Sequence, residues 1–474
     1  MLIDTVRLIV GWALPWALGA ALMVALRLLS RSAQTTDQVA WTIGCGWFVG
    51  AFALTLWMRA LSLFGIPFSL SSIGIPLGFV TIALIVFVMR REPGARWREA
   101  VRGGLRELGG GELTGWRRAL WLVICVWLAL RSLLLLLDVA TMPLYPWDAW
   151  IQWATKARVW FELGRIVPFE RGDGWFNAAG GAWFDAAPNY PATVPLWQVW
   201  TDVVLGRWDD SLMNVPWWLL AIAFIFAIYA ALRRAGYDPL GALVGTWLVS
   251  SLPLANVHVA LAGYADLPMA AYYALAALAV WQWTEERTIA NGVLACVLAI
   301  ACLTVKTPGI VWTMTLVPAV VLTVFPRRGG QILTLTLAIA LVALLALARI
   351  DAVVLGYRLH LDFAPPWFGM LESLFLLGNW HLLWYAAVAM AVVGWREIVG
   401  PKIAPLSVMI AAGLLFLFIV FAFTNARVWV TDQTTVNRAT LHLAPLLSIW
   451  VLIVFEAWLR RLRNAALVPA ATSA

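Results

Sequence analysis

Runs of about 17 to 25 apolar residues recur along this chain, and each is long enough to cross a hydrocarbon core of about 30 Å as a helix. That recurrence leaves little choice of fold. Charged residues make up 12% of the 474 residues and hydrophobic ones 63%, whereas soluble domains carry roughly 25% charge. The sequence therefore predicts an all-α integral membrane protein. Its 31 tryptophans fit helices that end in interfacial aromatic belts, where an indole sits among headgroups with its N–H near water. Cys45, Cys125, Cys296 and Cys302 all fall inside apolar runs, so they are expected as buried thiols rather than disulfide or metal ligands.

Candidate spans cover roughly 5 to 29, 40 to 63, 67 to 89, 117 to 138, 212 to 232, 239 to 257, 265 to 283, 290 to 304, 309 to 325, 331 to 349, 381 to 397, 403 to 424 and 439 to 459, about thirteen transmembrane helices. The first run is too long for a signal-peptide core and lacks a cleavage site, so it is expected to stay as a helix. The net charge of +8 does not point to nucleic acid, because the basic residues cluster in short segments between apolar runs. Arg90, Arg91, Arg96, Arg98, Arg102, Arg106, Arg117 and Arg118 crowd one such segment, which by the positive-inside rule is cytoplasmic. Alternation from there keeps Arg233, Arg234, Arg327, Arg328, Arg396, Lys402 and the Arg460 to Arg463 tail on the same side. Residues 1–115 then form a three-helix membrane part with a basic cytoplasmic loop, and 116–474 form the core. The core carries a large first outer loop at 139–211.

That loop contains two stretches of helical period. Trp150, Trp153, Ala154, Ala157, Trp160 and Phe161 make one apolar stripe, with Gln152, Lys156 and Glu162 off it; Leu196, Trp197, Trp200 and Val204 make the second, after Pro191. Neither stretch can span, so both are expected as interfacial helices. Gly172, Gly174, Gly180 and Gly181 mark an irregular connection between them.

The residues able to do chemistry gather on the outer side. Asp148, in Tyr-Pro-Trp-Asp-Ala-Trp, sits where a span yields to the first interfacial helix. It reads equally as an N-cap and as a shielded base flanked by aromatics. Asp266, in Gly-Tyr-Ala-Asp-Leu-Pro, begins a spanning run; a carboxylate at that depth costs roughly 2.5 to 3.5 kcal/mol, so it pairs, caps or functions. Lys306, in Thr-Val-Lys-Thr-Pro-Gly, and Arg438, in Val-Asn-Arg-Ala-Thr, are cations at outer helix ends, against the inside bias. Snorkelling would account for Lys306; holding a lipid phosphate would account for both, since a guanidinium can donate two hydrogen bonds to it at once. Trp147, Lys156, Tyr190, Tyr264, Arg358 and His360 are weaker candidates for substrate contact. His258, His381 and His442 make no metal spacing, and no Walker loop, dinucleotide fingerprint, nucleophile elbow or zinc motif is present.

With its acids and cations in this order, the chain resembles, over roughly 117 to 459, the C-superfamily (GT-C) of membrane glycosyltransferases, which take sugar from polyprenyl-phosphate donors. The resemblance rests on the outer loop opening with Asp148, the Asn189-Tyr190-Pro191 element before the second loop helix, and the Asp266, Lys306 and Arg438 motifs. It implies that Asp148 deprotonates or orients the acceptor nucleophile and that Asp266 assists with acceptor or a divalent ion. By the same resemblance Lys306 and Arg438 neutralise the departing lipid phosphate. Sugar would pass with inversion from an undecaprenyl-type donor to a lipid, glycan or protein acceptor at the outer face of the inner membrane. A metal requirement stays open. Some relatives carry a second loop acid, for which Glu170, Asp173 and Asp185 compete. The three leading spans depart from the simplest family pattern. A lipid or solute transporter, or a noncatalytic relative, are the alternative readings.

Overall fold

The computed structural model describes residues 2–30, 37–92, 94–178, 182–349, 353–354, 357–358 and 363–467; His360, Gly180 and Gly181 lie outside them. Within these bounds the chain is nearly all helix, with two pairs of two-residue strands. Its contacts divide it into two units, residues 1–250, 255–272 and 303–306, and residues 251–254, 273–302 and 307–474.

The first unit is built on α1 (Leu2–Leu29), α2 (Gln38–Leu63) and α3 (Ile75–Arg91), followed by α4 (Gly94–Leu108) and α5 (Gly115–Thr141). Residues 139–211 contribute α6 (Thr155–Leu163), α7 (Gly172–Asn177) and α8 (Thr193–Leu205); then come α9 (Val215–Ala235), α10 (Pro239–Ser250) and α11 (Pro253–Ala260). Helix α1 packs on α2 and α3, and α2 on α9. The α1–α2 contact depends on glycine: a Cβ at Gly19 would lie 1.9 Å from the Gly46 carbonyl oxygen, and one at Gly50 would lie 1.7 Å from that of Pro15. Small residues let helix backbones approach closely where lipid supplies no hydrophobic drive.

After α12 (Asp266–Glu286), which begins in the first unit, come α13 (Ile289–Val305), α14 (Gly309–Met314), α15 (Val317–Val324) and α16 (Gly329–Arg349). The second unit continues with α17 (Trp367–Leu371), α18 (Leu383–Val393), α19 (Trp395–Ile398), α20 (Ala404–Phe423), α21 (Val428–Thr431), α22 (Thr435–Leu441) and α23 (Ala444–Leu467). Its packing joins α15 to α20 and α16, and α18 to α23.

Among the described residues seven helices are long and apolar enough to cross a membrane, or up to nine if two bent pairs each count as one span. The seven are 3–29, 38–63, 70–91, 115–141, 212–235, 329–346 and 404–423, and the bent pairs are α10 with α11 (67°) and α22 with α23 (48°). Four of the thirteen expected runs fall short of that test. Asp266, Tyr272, Tyr273 and Gln282 dilute the apolar character of α12, and α13 has only 17 residues. The 309 to 325 run breaks between α14 and α15, and the 381 to 397 run breaks at Gly394 between α18 and α19.

Three further expectations change. Helix α8 is no interfacial helix with one wet face: 12 of its 13 residues are buried, and it packs on α1, α2, α6 and α9. Not every tryptophan is available to a belt, since nine of the 31 are almost fully buried inside the protein. In the first unit Trp47 meets Trp12 at 5.9 Å and Trp197 at 5.2 Å, and Trp197 meets Trp217 at 6.2 Å. Such aromatic contacts add specific ring geometry to the burial of large surfaces. Finally, Cys45 and Cys302 are buried as expected, but Cys125 is half-buried and Cys296 is exposed. An apolar run predicts that a side chain avoids water; it does not say whether protein or lipid replaces the water.

Candidate functional site

Asp148 stands at the end of α5's connection and immediately before a π-turn, Ala149–Ala154, that runs into α6. It occupies the N-cap position, yet its side chain makes no cap hydrogen bond and its backbone is already helical (φ −63°, ψ −29°). A true N-cap is extended and accepts from the second or third helical N–H, so the capping explanation for this acid is not met. The carboxylate is half-buried, with Trp147 exposed beside it and stacked edge-on against Trp150 at 5.1 Å.

The turn that carries Asp148 packs directly on the turn before Asp266. Gly263 has φ +105°, a conformation open to glycine at little cost, and a Cβ built there would lie 2.6 Å from the Cβ of Ala149 and 3.2 Å from Leu144. The neighbouring Tyr264 is fixed from both sides. Its carbonyl accepts from Trp217 Nε1 at 2.8 Å, and its ring lies 5.2 Å from that of His258.

Asp266 is the first residue of α12 and is fully buried. Lys306, at the other end of α13 and also buried, donates from Nζ to Asp266 Oδ1 at 2.6 Å. The sequence leaves Asp266 to pair, cap or function and Lys306 to snorkel or hold a phosphate, without joining the two. The structure pairs them, with the ammonium directed at a buried carboxylate. Two charges without water need this kind of partner, since an isolated one would carry most of its desolvation cost. The approach to Lys306 is braced by a chain that sequence reasoning missed. Arg59 donates to Thr193 Oγ1 at 3.0 Å, and Thr193 donates to Thr304 Oγ1 at 3.0 Å. An arginine inside the apolar run 40 to 63 was the available signal.

Within residues 139–211, Lys156, read as lying off the apolar stripe, is 1% exposed. Its Nζ donates to the Ala187 carbonyl at 2.7 Å and lies 3.7 Å from Asp185 Oδ1. Burial depresses the Lys156 ammonium to about 8, against the pull of Asp185, and burial likewise raises the Asp185 carboxyl. Of the three competing loop acids, Glu170 and Asp173 are exposed and Asp185 is the buried one. Tyr190 stacks flat on Trp153 at 5.2 Å and 10°. Burial also pushes Asp202, at the far end of α8, up to about 8.

An open crevice of about 270 Å³ is lined by Leu261 and by Met142, Leu144, Tyr145 and Pro146 on the segment that leads to Asp148, with Asp138 and Asn214 as its polar members. It has room for an apolar chain or a small ring.

In the second unit Arg438 sits on α22, half-exposed, next to buried Asn437. Asn437 accepts from Ser373 Oγ at 2.7 Å and donates to the Gln433 carbonyl, while Trp380 Nε1 donates to the Ser373 carbonyl at 3.0 Å. These bonds fix the turn on which Arg438 is mounted. One turn on, buried His442 accepts at Nδ1 from Trp312 Nε1 at 3.0 Å; the neutral ring then carries its proton on Nε2. Arg358 lies in a two-residue strand with its backbone paired to Val353. His381 is exposed, in a positive-φ turn, and bonded to the Ser251 carbonyl at 3.0 Å.

Among the described residues no three His, Cys, Asp or Glu side chains come together as a metal site. At Asp266 the ammonium of Lys306 already holds one carboxylate oxygen, so the donor set there does not fit a divalent ion. Comparison with family models, curated proteins and solved structures finds no match to this chain.

Proposed function

We propose that the chain is a membrane glycosyltransferase of about thirteen spans, taking sugar from a polyprenyl-phosphate donor, of the undecaprenyl type, at the outer face of the inner membrane. In one displacement an acceptor hydroxyl oxygen attacks the anomeric carbon, and the bond from that carbon to the phosphate oxygen breaks with its electrons leaving on the phosphate. The hydroxyl proton passes to Asp148, and the anomeric configuration inverts. Lys306 stabilises the charge that builds on the phosphate, as a fixed cation does where charge develops in a transition state. An ammonium has three donors, and Lys306 gives one of them to Asp266, which aims it.

The observation that carries this reading is the packing of the Asp148 turn on the Gly263 turn, three residues before the buried Asp266–Lys306 pair. That contact brings two acid-bearing turns from distant parts of the sequence together beside an apolar crevice. A surface reaction between a lipid-linked donor and a polar acceptor needs apolar surface for the one and a few placed polar groups for the other.

One observation favours the transporter reading: the two helix pairs bent by 67° and 48°, because discontinuous helices commonly form transport sites. The experiment is transfer of radiolabelled sugar from a panel of polyprenyl-phosphate donors by membranes containing wild type or Asp148→Asn. Transfer by wild type that is lost in the folded variant supports the transferase. No transfer from any donor, with lipid or solute flux in proteoliposomes, replaces it with the transporter.

A further inference from the structure

Lys156 and Asp185 are buried in a segment whose neighbouring charges, Arg158, Glu162, Arg165, Glu170, Arg171 and Asp173, are all exposed. The ammonium donates to Ala187 O at 2.7 Å, and Asp185 Oδ1 accepts from the Ala187 N–H at 2.6 Å, so residues 185–187 curl around the lysine head. The Asp185 N–H in turn donates to Glu170 O at 3.0 Å. Three residues before Lys156, the Trp153 ring stacks on Tyr190 and lies 5.9 Å from the lysine Nζ. Two contacts, one ionic and one aromatic, therefore fasten residues 185–190 to the turn and helix that follow Asp148.

A buried ion pair is seldom there for stability, because an apolar pair of similar volume is commonly as stable or more so. What it supplies is a single arrangement, since only one register of the two segments satisfies both charges. The polar demand is not fully met: Asp185 Oδ2 and Trp153 Nε1 are buried with no hydrogen-bond partner among the described residues. Native structures seldom leave buried polar groups unpaired without a reason. Here the strap is held closed at a polar cost, which an ordinary packed loop would not incur.

We propose that Lys156 and Asp185 are positioning residues whose buried pair docks residues 182–191 onto α6 and so fixes the Asp148 turn and the Tyr190 ring. The proposal rests on Asp148 acting as the acceptor's base. It removes Lys156 from the set of substrate contacts and gives it a role through the strap.

The test uses the full chain in lipid nanodiscs and reads two quantities. Chymotrypsin cleavage within 182–191, where Trp183 and Phe184 are 42% and 43% exposed, reports docking; kcat and KM for sugar transfer report positioning. Lys156→Met and Asp185→Leu are each expected to speed cleavage by about tenfold or more and to lower kcat with little change in KM. The double variant Lys156→Met/Asp185→Leu leaves no buried charge and is expected to fold, yet to keep the low kcat; Lys156→Arg is expected to restore part of it. Cleavage rates unchanged in both single variants would overturn the docking role, and an unchanged kcat with the strap released would overturn the positioning role. If wild type transfers no sugar from any donor, it is the transferase reading that fails, and cleavage alone still decides the docking.

Discussion

Replacing Lys306 by Met strips the ammonium from a carboxylate that has no exposed surface. Asp266 must then stay ionised in a medium of low dielectric or take up a proton, and breaking a buried pair by removing one partner costs about 3–5 kcal/mol. Asp266→Leu takes the same partner from the ammonium. Removing both charges together in Lys306→Met/Asp266→Leu eliminates the stranded group, so the double variant is expected within about 1 kcal/mol of wild type or above it. The coupling between the two sites should therefore be about 3 kcal/mol or more, well outside the few tenths found for independent sites. For a unit of this size, a loss of 3–5 kcal/mol lowers the unfolding midpoint by roughly 10 °C. Thermal unfolding of the four proteins in one detergent, followed by tryptophan fluorescence, completes the cycle. Single variants that each cost under about 1 kcal/mol and add in the double would refute the reasoning, since they would mean that water solvates both groups.

Gly263→Ala forces a Cβ into a positive-φ turn against Ala149, so it should cost about 1–3 kcal/mol and lower transfer; a midpoint equal to wild type would mean that the two turns part easily. Asp202 holds its proton up to about pH 8 in the folded chain and releases it near the ordinary carboxylate value when unfolded. Its contribution is therefore full below about pH 4 and is lost as pH rises towards 8, at no more than about 1.4 kcal/mol per unit. Asp202→Asn should flatten that slope in unfolding midpoints taken from pH 5 to 8; parallel curves would exclude the acid as its source. If Arg438 holds the donor phosphate as the resemblance implies, Arg438→Ala should lower both kcat and the ionic-strength sensitivity of transfer, while Arg438→Lys should recover only part, because an ammonium lacks the planar two-donor fork. Full recovery by lysine would show that charge alone suffices.

The wide features of the fold were legible because they follow from composition averaged over a helix length. Leu120 to Leu137 or Leu406 to Phe423 can satisfy their backbone only as helices in an apolar medium, whatever packs beside them. Periodicity carried less. The stripe of Trp150, Trp153, Ala157 and Trp160 marked a helix face, yet Trp150 is exposed, while Lys156 off the stripe is as buried as Trp153 and Ala157 because another segment folds over it. In α8 the stripe of Leu196, Trp197, Trp200 and Val204 predicted an interfacial helix, yet Thr193, Gln198, Thr201 and Asp202 off that stripe are buried as well.

Sequence alone determined that this chain is helical, apolar enough for a bilayer, and provided with a few charges at the ends of its runs. Each of those is a property of a segment and its solvent. Tertiary structure decided what the charges do to one another. Asp266 and Lys306 are 40 residues apart and meet at 2.6 Å; Lys156 and Asp185 meet across a loop with no regular period; Gly263 is needed because Ala149 is there. Pairing depends on which surfaces come within a few ångströms, and no local pattern in hydrophobicity or charge encodes that distance.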